Sequence, residues 1–218
     1  MKVEPIMVSY VDSMGSDTSV VNAARVSFAK EIEELGERDL KLIHYLARHK
    51  HWSPFAHTSL SLRIRAPIFL ARQLVKHQVG GVWNEVSRRY VDDEPAFYIP
   101  DAFHKRAENA KQGCGNVVDL NTNNNCYRVV YDKSEEALKT YNWLISCDVA
   151  PEEARMVLPL NTMTEWIWTG SLMFWFRVWK QRSDEHAQTV AREFAELLDA
   201  TIPQCFYNSW GALKEHYK

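Results

Sequence analysis

The chain has 218 residues, 46% of them hydrophobic and 25% charged, with a formal net charge of −2. Such a chain can bury its own core without staples, and its nearly neutral balance excludes a general attraction to nucleic acid or anionic membrane, so any basic site is local. The opening MKVEPIMVSYVD carries a proline and acids where a secretory leader needs an apolar run, and no apolar run of about 18 residues is present to span a bilayer.

Residues 3–11 alternate loosely and predict a strand, after which Asp17-Thr18-Ser19 caps a helix through about Ser27. A clearer amphipathic helix runs from Glu37 to His49, with Leu40, Ile43, Leu46 and Ala47 on its buried stripe. Ser53-Pro54 starts a short helical turn. Ser59–Arg65, SLSLRIR, alternates strictly and predicts a half-buried strand. Pro67 opens a helix to about His77, with Ile68, Ala71, Leu74 and Val75 on its packed side, and Gly80-Gly81 ends it. Residues 86–90 and 97–100 look extended. Residues 101–125 predict an exposed, variable loop region with a helical fragment near its start, and helical spacing returns over 127–145. Pro151 opens a short helix, Thr162–Thr169 alternates as a strand, Leu172–Arg182 is an aromatic helix, and Ala187–Ala200 is the last regular helix, ended by Pro203. Helices and strands mix without a βαβ cadence and no linker divides the chain, which predicts one α+β domain with a mostly antiparallel, twisted sheet flanked by helices. Of the eight tryptophans, Trp166, Trp168, Trp175 and Trp179 fall close together and predict core or a subunit interface. Cys114, Cys126, Cys147 and Cys205 are scattered with no C-x-x-C pair, which predicts free thiols and a cytoplasmic location.

The densest polar chemistry lies between Arg72 and Tyr90, RQLVKHQVGGVWNEVSRRY. Arg72 and Lys76 are four residues apart and share a helix face with Gln73 and His77. Arg88 and Arg89 follow the loop; the planar guanidinium suits phosphate, and Gly80-Gly81 lets backbone amides approach an anion. Glu85 adds an acceptor suited to a ribose or nucleobase rather than to phosphate. The stretch predicts a site for an anionic ligand with a hydrogen-bonding ring. In a bland reading, Arg155 pairs with Glu152 one turn earlier and Arg182 pairs with Asp184 across a helix end. His49 and His51 lack partners at metal-ligand spacing, so no metal is expected.

With Asn84-Glu85-Val86-Ser87-Arg88-Arg89-Tyr90 following Lys76-His77-Gln78, this stretch resembles the signature of the flavin-dependent thymidylate synthases. Lys76 and Gln78 stand where that signature has arginines. Asn22–Phe28, the His49–His57 segment, Ala154–Leu160 and Arg182–Gln188 are similar to further blocks of the family. The resemblance implies reductive methylation of dUMP to dTMP. The carbon comes from 5,10-methylenetetrahydrofolate and the reducing power from NADPH through FAD, with no cysteine nucleophile. It also implies a homotetramer whose active sites are shared between subunits, with no role for nucleic acid or membrane. Carried over by position, Gln73, Glu85, Ser87, Arg88, Arg89, Arg155 and Arg182 would hold dUMP, with Lys76 reaching it from a neighbouring subunit. Arg182 would be the catalytic group, stabilising charge that develops on the pyrimidine. His51, Ser53, Lys76, His77, Gln78, Asn84, Glu85 and His186 would face FAD, with Ser171 and Arg177 the nearest substitutes where many members read Asn-Ala-Arg. Three other readings use the same residues: a flavin-dependent methylase of another uridine nucleotide or of uracil in RNA, a non-catalytic nucleotide-binding relative, and a nucleic-acid module built on Arg72–Arg89.

Overall fold

Two strands, Ser59–Pro67 and Met163–Gly170, pair antiparallel along their whole length, from Leu60↔Gly170 to Pro67↔Met163. The structure, a computed structural model, describes residues 1–90, 93–107 and 113–217. In chain order its elements are β1 (Met7–Met14), α1 (Asp17–Arg25), α2 (Glu37–Arg48), α3 (Ser53–Ala56), β2 (Ser59–Pro67), α4 (Ile68–Leu74), β3 (Gly81–Glu85), β4 (His104–Arg106) and β5 (Cys114–Val117). They continue with α5 (Leu120–Ser146), α6 (Pro151–Ala154), β6 (Met163–Gly170), α7 (Leu172–Arg182), α8 (Thr189–Thr201) and α9 (Tyr207–His216). The main sheet has the order β1-β2-β6-β3 and is antiparallel throughout; β4 and β5 form a separate hairpin. The class is α+β, as its alternating and helical segments predict.

Alternation decides which face is buried. Leu60, Leu62, Ile64 and Ala66 of β2 and Trp166 and Trp168 of β6 point inward, under α7 and α8. The opposite face carries Arg63 paired with Glu165, Ser61 hydrogen-bonded to Thr169, and a half-exposed Met7. A second, smaller core gathers Phe97, Leu138, Tyr141 and Ala154 beneath α5 and α6. The tryptophan cluster is core: Trp166, Trp168 and Trp175 are almost fully buried, and Trp175 Nε1 donates to the Leu60 carbonyl at 2.8 Å.

Gly81 and Gly170 are partners across β3 and β6, and Phe174 lies over both. A Cβ on Gly81 would come 2.5 Å from Phe174 Cζ, and one on Gly170 would clash with the same ring. Gly81 is therefore a packing glycine rather than the anion-approach glycine expected from sequence. Gly80, with φ +84°, supplies the left-handed turn.

Several boundaries differ from expectation. Val3 makes only an isolated bridge to Phe97, and the strand proper runs on to Met14. The helix after Pro67 stops at Leu74, because His77 N–H turns back to the Leu74 carbonyl. The strand expected over 86–90 is instead 81–85, with a turn over 88–90. Residues 104–106 and 114–117 form the β4–β5 hairpin, not a helical fragment, and α5 already begins at Leu120; the middle of the expected loop, 108–112, lies outside the described residues. A further helix, α9, follows Pro203. The four cysteines are free thiols, and no helix among the described residues is long and apolar enough to cross a membrane.

Asp17 corrects a capping assignment. Ser16 is the N-cap of α1. Asp17 is buried instead against the start of α9, where it accepts from Asn208 N (3.0 Å), Asn208 Nδ2 (2.8 Å) and Ser209 N (2.8 Å). A carboxylate there satisfies orphan N–H groups and meets the positive end of the helix. Asp17→Ala removes all three bonds and leaves buried donors unpaired, so urea unfolding should show a loss of about 2–4 kcal/mol. An Asp17→Asn variant should recover part of it.

Candidate active site

Arg182 is the last residue of α7, whose inner face is fixed by Phe174, Trp175 and Phe176. Its side chain is half-buried and turns toward the segment after α4. There its Nε donates to His77 Nε2 at 3.0 Å and its Nη2 reaches the Gln73 carbonyl at 3.4 Å. The expected pair with Asp184 does not form; Asp184 accepts from His186 N instead. The imidazole of His77 accepts at Nε2, so its proton is on Nδ1 and the ring is neutral. Burial, and then the charge of Arg182, lower the His77 pKa to about 4. Burial also lowers that of Arg182. Arg182 is thus held by two neutral acceptors and keeps its charge for an anionic partner.

A groove of about 1090 Å³ opens beside this pair. Gln73, Arg182, Asp184 and His186 line one part of it, with Tyr98, His104, Cys114 and Glu193 on other walls. The Oε1 of Gln73 is buried and has no hydrogen-bond partner among the described residues. An orphan acceptor beside an unneutralised guanidinium is the polar signature of a ligand site. Tyr98 donates to Glu193 at 2.9 Å; burial is the main cause that raises both pKa values. That pair, like Cys114 and His104 on the hairpin, was missed at the sequence level. Tyr98 and Glu193 are 95 residues apart, and only the fold joins them.

The other expected nucleotide residues divide. Glu85 is held at the end of β3 by Thr164 Oγ1 (2.7 Å) and Trp83 Nε1 (3.2 Å), on the same sheet face as Trp166. Ser87 Oγ accepts from Arg89 Nε at 3.1 Å, and Arg89 lies over the Tyr90 ring. Arg88 donates to the Asp93 carbonyl at 2.9 Å. Arg155 stands apart near the second core, its Nε on the Glu152 carbonyl rather than on the carboxylate. Lys76 and Gln78 are exposed and make no hydrogen bond through their side chains among the described residues.

The expected flavin residues also fall into two places. Arg177 lies over Trp52, with His51 and Ser53 on either side of that residue, and Ser171 caps the start of α7 by accepting from Phe174 N. The Leu172 N–H donates to Thr58 Oγ1, which ties the start of α7 to the chain just after α3. The guanidinium over Trp52 and the imidazole and hydroxyl of its sequence neighbours are donors of the kind that would suit the diphosphate of FAD. Lys76, His77 and Gln78 follow α4 elsewhere. Asn84 lies on the opposite face of β3 from Glu85, because strand side chains alternate. His186 is exposed in the groove wall.

Fold and groove together define an α+β domain with an unneutralised arginine in its groove wall. A family model described as thymidylate synthase complementing protein matches residues 9–205. The flavin-dependent thymidylate synthase of Thermosipho melanesiensis is 37% identical over 185 residues, 85% of this chain and 80% of that protein. That of Thermus thermophilus is 38% identical over 210 residues, 96% of this chain and 76% of that protein. Among solved structures, the UMP/dUMP methylase PolB from Streptomyces cacaoi bound with 5-Br dUMP is similar with a TM-score of 0.87 and 30% identity, covering 99% of this chain and 97% of that one. The chain belongs to the flavin-dependent thymidylate synthase family.

The His77 titration has a definite sign. The unfolded chain takes up the proton near the ordinary imidazole value of 6.5, whereas folded His77 resists it until about 4. Its contribution to stability is therefore present above 6.5 and is lost as pH falls toward 4. NMR titration should place His77 near 4. Arg182→Met should raise that midpoint but leave it below 6.5, because burial is the larger cause.

Proposed function

We propose that this chain is an FAD-dependent thymidylate synthase that converts dUMP to dTMP, taking the methylene from 5,10-methylenetetrahydrofolate and its reducing power from NADPH through FAD. One observation carries the reading: Arg182, half-buried and held by neutral partners, lies beside the unpartnered Oε1 of Gln73. A pyrimidine ring has the matching groups, an N–H for Gln73 and carbonyl oxygens for the guanidinium. Bonding a methylene to C5 requires electron density there, and the C5 proton must leave. Arg182, part-buried and aimed by fixed neutral partners, stabilises the anionic ring, the arrangement in which a preorganised charge lowers a barrier. FAD, when bound, would supply the hydride for this chemistry, with tetrahydrofolate as the leaving group. No step calls for a thiolate. Free thiols also agree with a cytoplasmic protein.

His77 orients Arg182, while Glu85, Ser87, Arg88 and Arg89 take the sugar and phosphate. His51, Ser53, Ser171 and Arg177 take the cofactor diphosphate, with Lys76, Gln78, Asn84 and His186 toward its ring. Five residues apart on one helix, Arg177 and Arg182 point about 140° away from each other. Asn84 and Glu85 also face opposite ways, and Arg155 belongs to a different core. These divisions support sites completed by a neighbouring subunit in a homotetramer.

Arg182→Ala should lower kcat for dTMP formation by about 10²- to 10³-fold, measured with dUMP, methylenetetrahydrofolate and NADPH. Activity left intact would overturn Arg182 as the catalytic group. Mixing inactive Lys76→Ala and Arg182→Ala subunits should restore part of the activity; none regained after confirmed exchange would rule out shared sites. A second reading, UMP as an equal substrate, is favoured by the same methylase solved with 5-Br UMP, at a TM-score of 0.87 and 28% identity. Comparing kcat/KM for dUMP and UMP separates the two, and the primary reading expects dUMP to be preferred. A site on RNA is disfavoured by the net charge of −2.

A further inference from the structure

One cluster of metal-ligating side chains lies outside the groove and takes no part in the proposed reaction. His44 is on α2, and Glu215 and His216 end α9, which packs along α2. His44 Nδ1 and His216 Nε2 are 3.0 Å apart, and the ring planes cross at 74°. Glu215 reaches both rings: one carboxylate oxygen is 3.6 Å from His44 Nδ1 and the other 3.4 Å from His216 Nε2. One ligand atom from each residue lies within 4.8 Å of the others.

These spacings have a chemical meaning. Donors bound to zinc at about 2.0–2.1 Å in a tetrahedron are separated by about 3.3 Å from one another. The ring nitrogens at 3.0 Å, and each ring's nearest Glu215 oxygen at 3.4 or 3.6 Å, lie close to that edge, and a small turn of the carboxylate would bring a single oxygen to both. A hydrogen bond between the two rings uses one lone pair, whereas a cation at their common focus uses three. The His216 side chain is only 14% exposed and that of Glu215 is 62% exposed, so the focus is walled on one side and open to a solvent ligand on the other.

The ligands are also held in place from behind. Beyond His216, the Tyr217 ring packs edge-on against Phe176 at 5.6 Å, and its carbonyl accepts from Lys180 Nζ at 3.2 Å. One turn back, Lys214 pairs with Asp199 at 2.7 and 2.9 Å. Anchored ligands on two packed helices need little reordering to close on an ion. Lys41 and Arg48 share the outer face of α2 with His44 and weaken the attraction for a cation, an effect Glu37 on the same face partly offsets.

The geometry points to a divalent transition-metal site of the zinc type, formed by His44, Glu215 and His216 with water as fourth ligand, which clamps α9 to α2. Two imidazoles and one carboxylate suit Zn²⁺, Co²⁺ or Ni²⁺; Mg²⁺ and Ca²⁺ take oxygen shells. The site shares no residue with the groove, so it stands or falls independently of the proposed reaction.

The test uses untagged full chain stripped with a chelator. Calorimetric titration with Zn²⁺ should show one ion per chain, and Co²⁺ should give the intense visible bands of four-coordinate cobalt. His44→Gln and His216→Ala should each weaken binding at least about tenfold. At roughly a hundred times its dissociation constant, Zn²⁺ should raise the thermal midpoint of the wild type by about 5–10 °C and leave His44→Gln unchanged. His44 has a side chain 41% exposed, so its variant keeps the test decisive even where His216→Ala fails to fold. A wild type that takes up no stoichiometric zinc overturns the proposal. So does binding of equal strength in wild type and His44→Gln, which would place the ion on other histidines.

Discussion

Phe174 lying across the paired glycines Gly81 and Gly170 is the contact on which the site depends. Two residues without Cβ atoms, side by side on neighbouring strands, let α7 lie against the sheet more closely than ordinary side chains permit. The ring of Phe174 then meets Trp168 and Trp175 edge-on at 5.1 and 5.3 Å, and Trp168 meets Trp175 at 5.0 Å. Each such pair contributes about 0.5–1.5 kcal/mol beyond the burial of its area. The far end of the same helix carries Arg182, and the turn before Gly81 carries His77. The closeness of one packing layer thus fixes the distance between Arg182 on the groove and His77 behind it.

The arginines of the fold are treated in two ways. Arg25 pairs with Asp39, Arg63 with Glu165 and Arg65 with Glu4. Those guanidiniums join elements: α1 to α2, β2 to β6, and the N-terminal segment to β2. Arg182 is as well placed by the packing, yet it is given an imidazole and a backbone carbonyl. Neutral acceptors orient a cation without cancelling it, and part burial makes its field stronger than in water. The difference between a structural and a functional arginine is visible here in the charge of its partner rather than in its burial.

The elements read correctly from sequence are those where one periodicity dominates. SLSLRIR alternates over its full length, and the Leu172–Arg182 helix begins after a serine cap and a glycine; both were placed close to where they lie. Failures occurred where a residue answers to something distant. Asp17 looks like a cap for the helix it begins but serves a helix 191 residues away. Gly81 looks like a loop glycine, yet its reason is a ring on α7. Pro203 reads as a terminator, and α9 beyond it has a weak apolar stripe broken by Gly211. Gln73 and Arg182, both read from the family motif as nucleotide residues, lie side by side on the groove, and His77, read as a flavin residue, is against Arg182 instead. The partners that hold each one, and the Tyr98–Glu193 wall, depend on long-range pairings that no local pattern records.

The Asp17 cap also bears on how the chain acquires its fold. A carboxylate near the start of the chain takes its partners from residues 208 and 209. Without those residues in place, Asp17 would be a buried charge with no donor, and α9 would lack its first-turn acceptor. Closing a loop of that length is entropically slow compared with forming the helices themselves. One carboxylate thus staples two helices that are far apart in sequence into the same corner of the core.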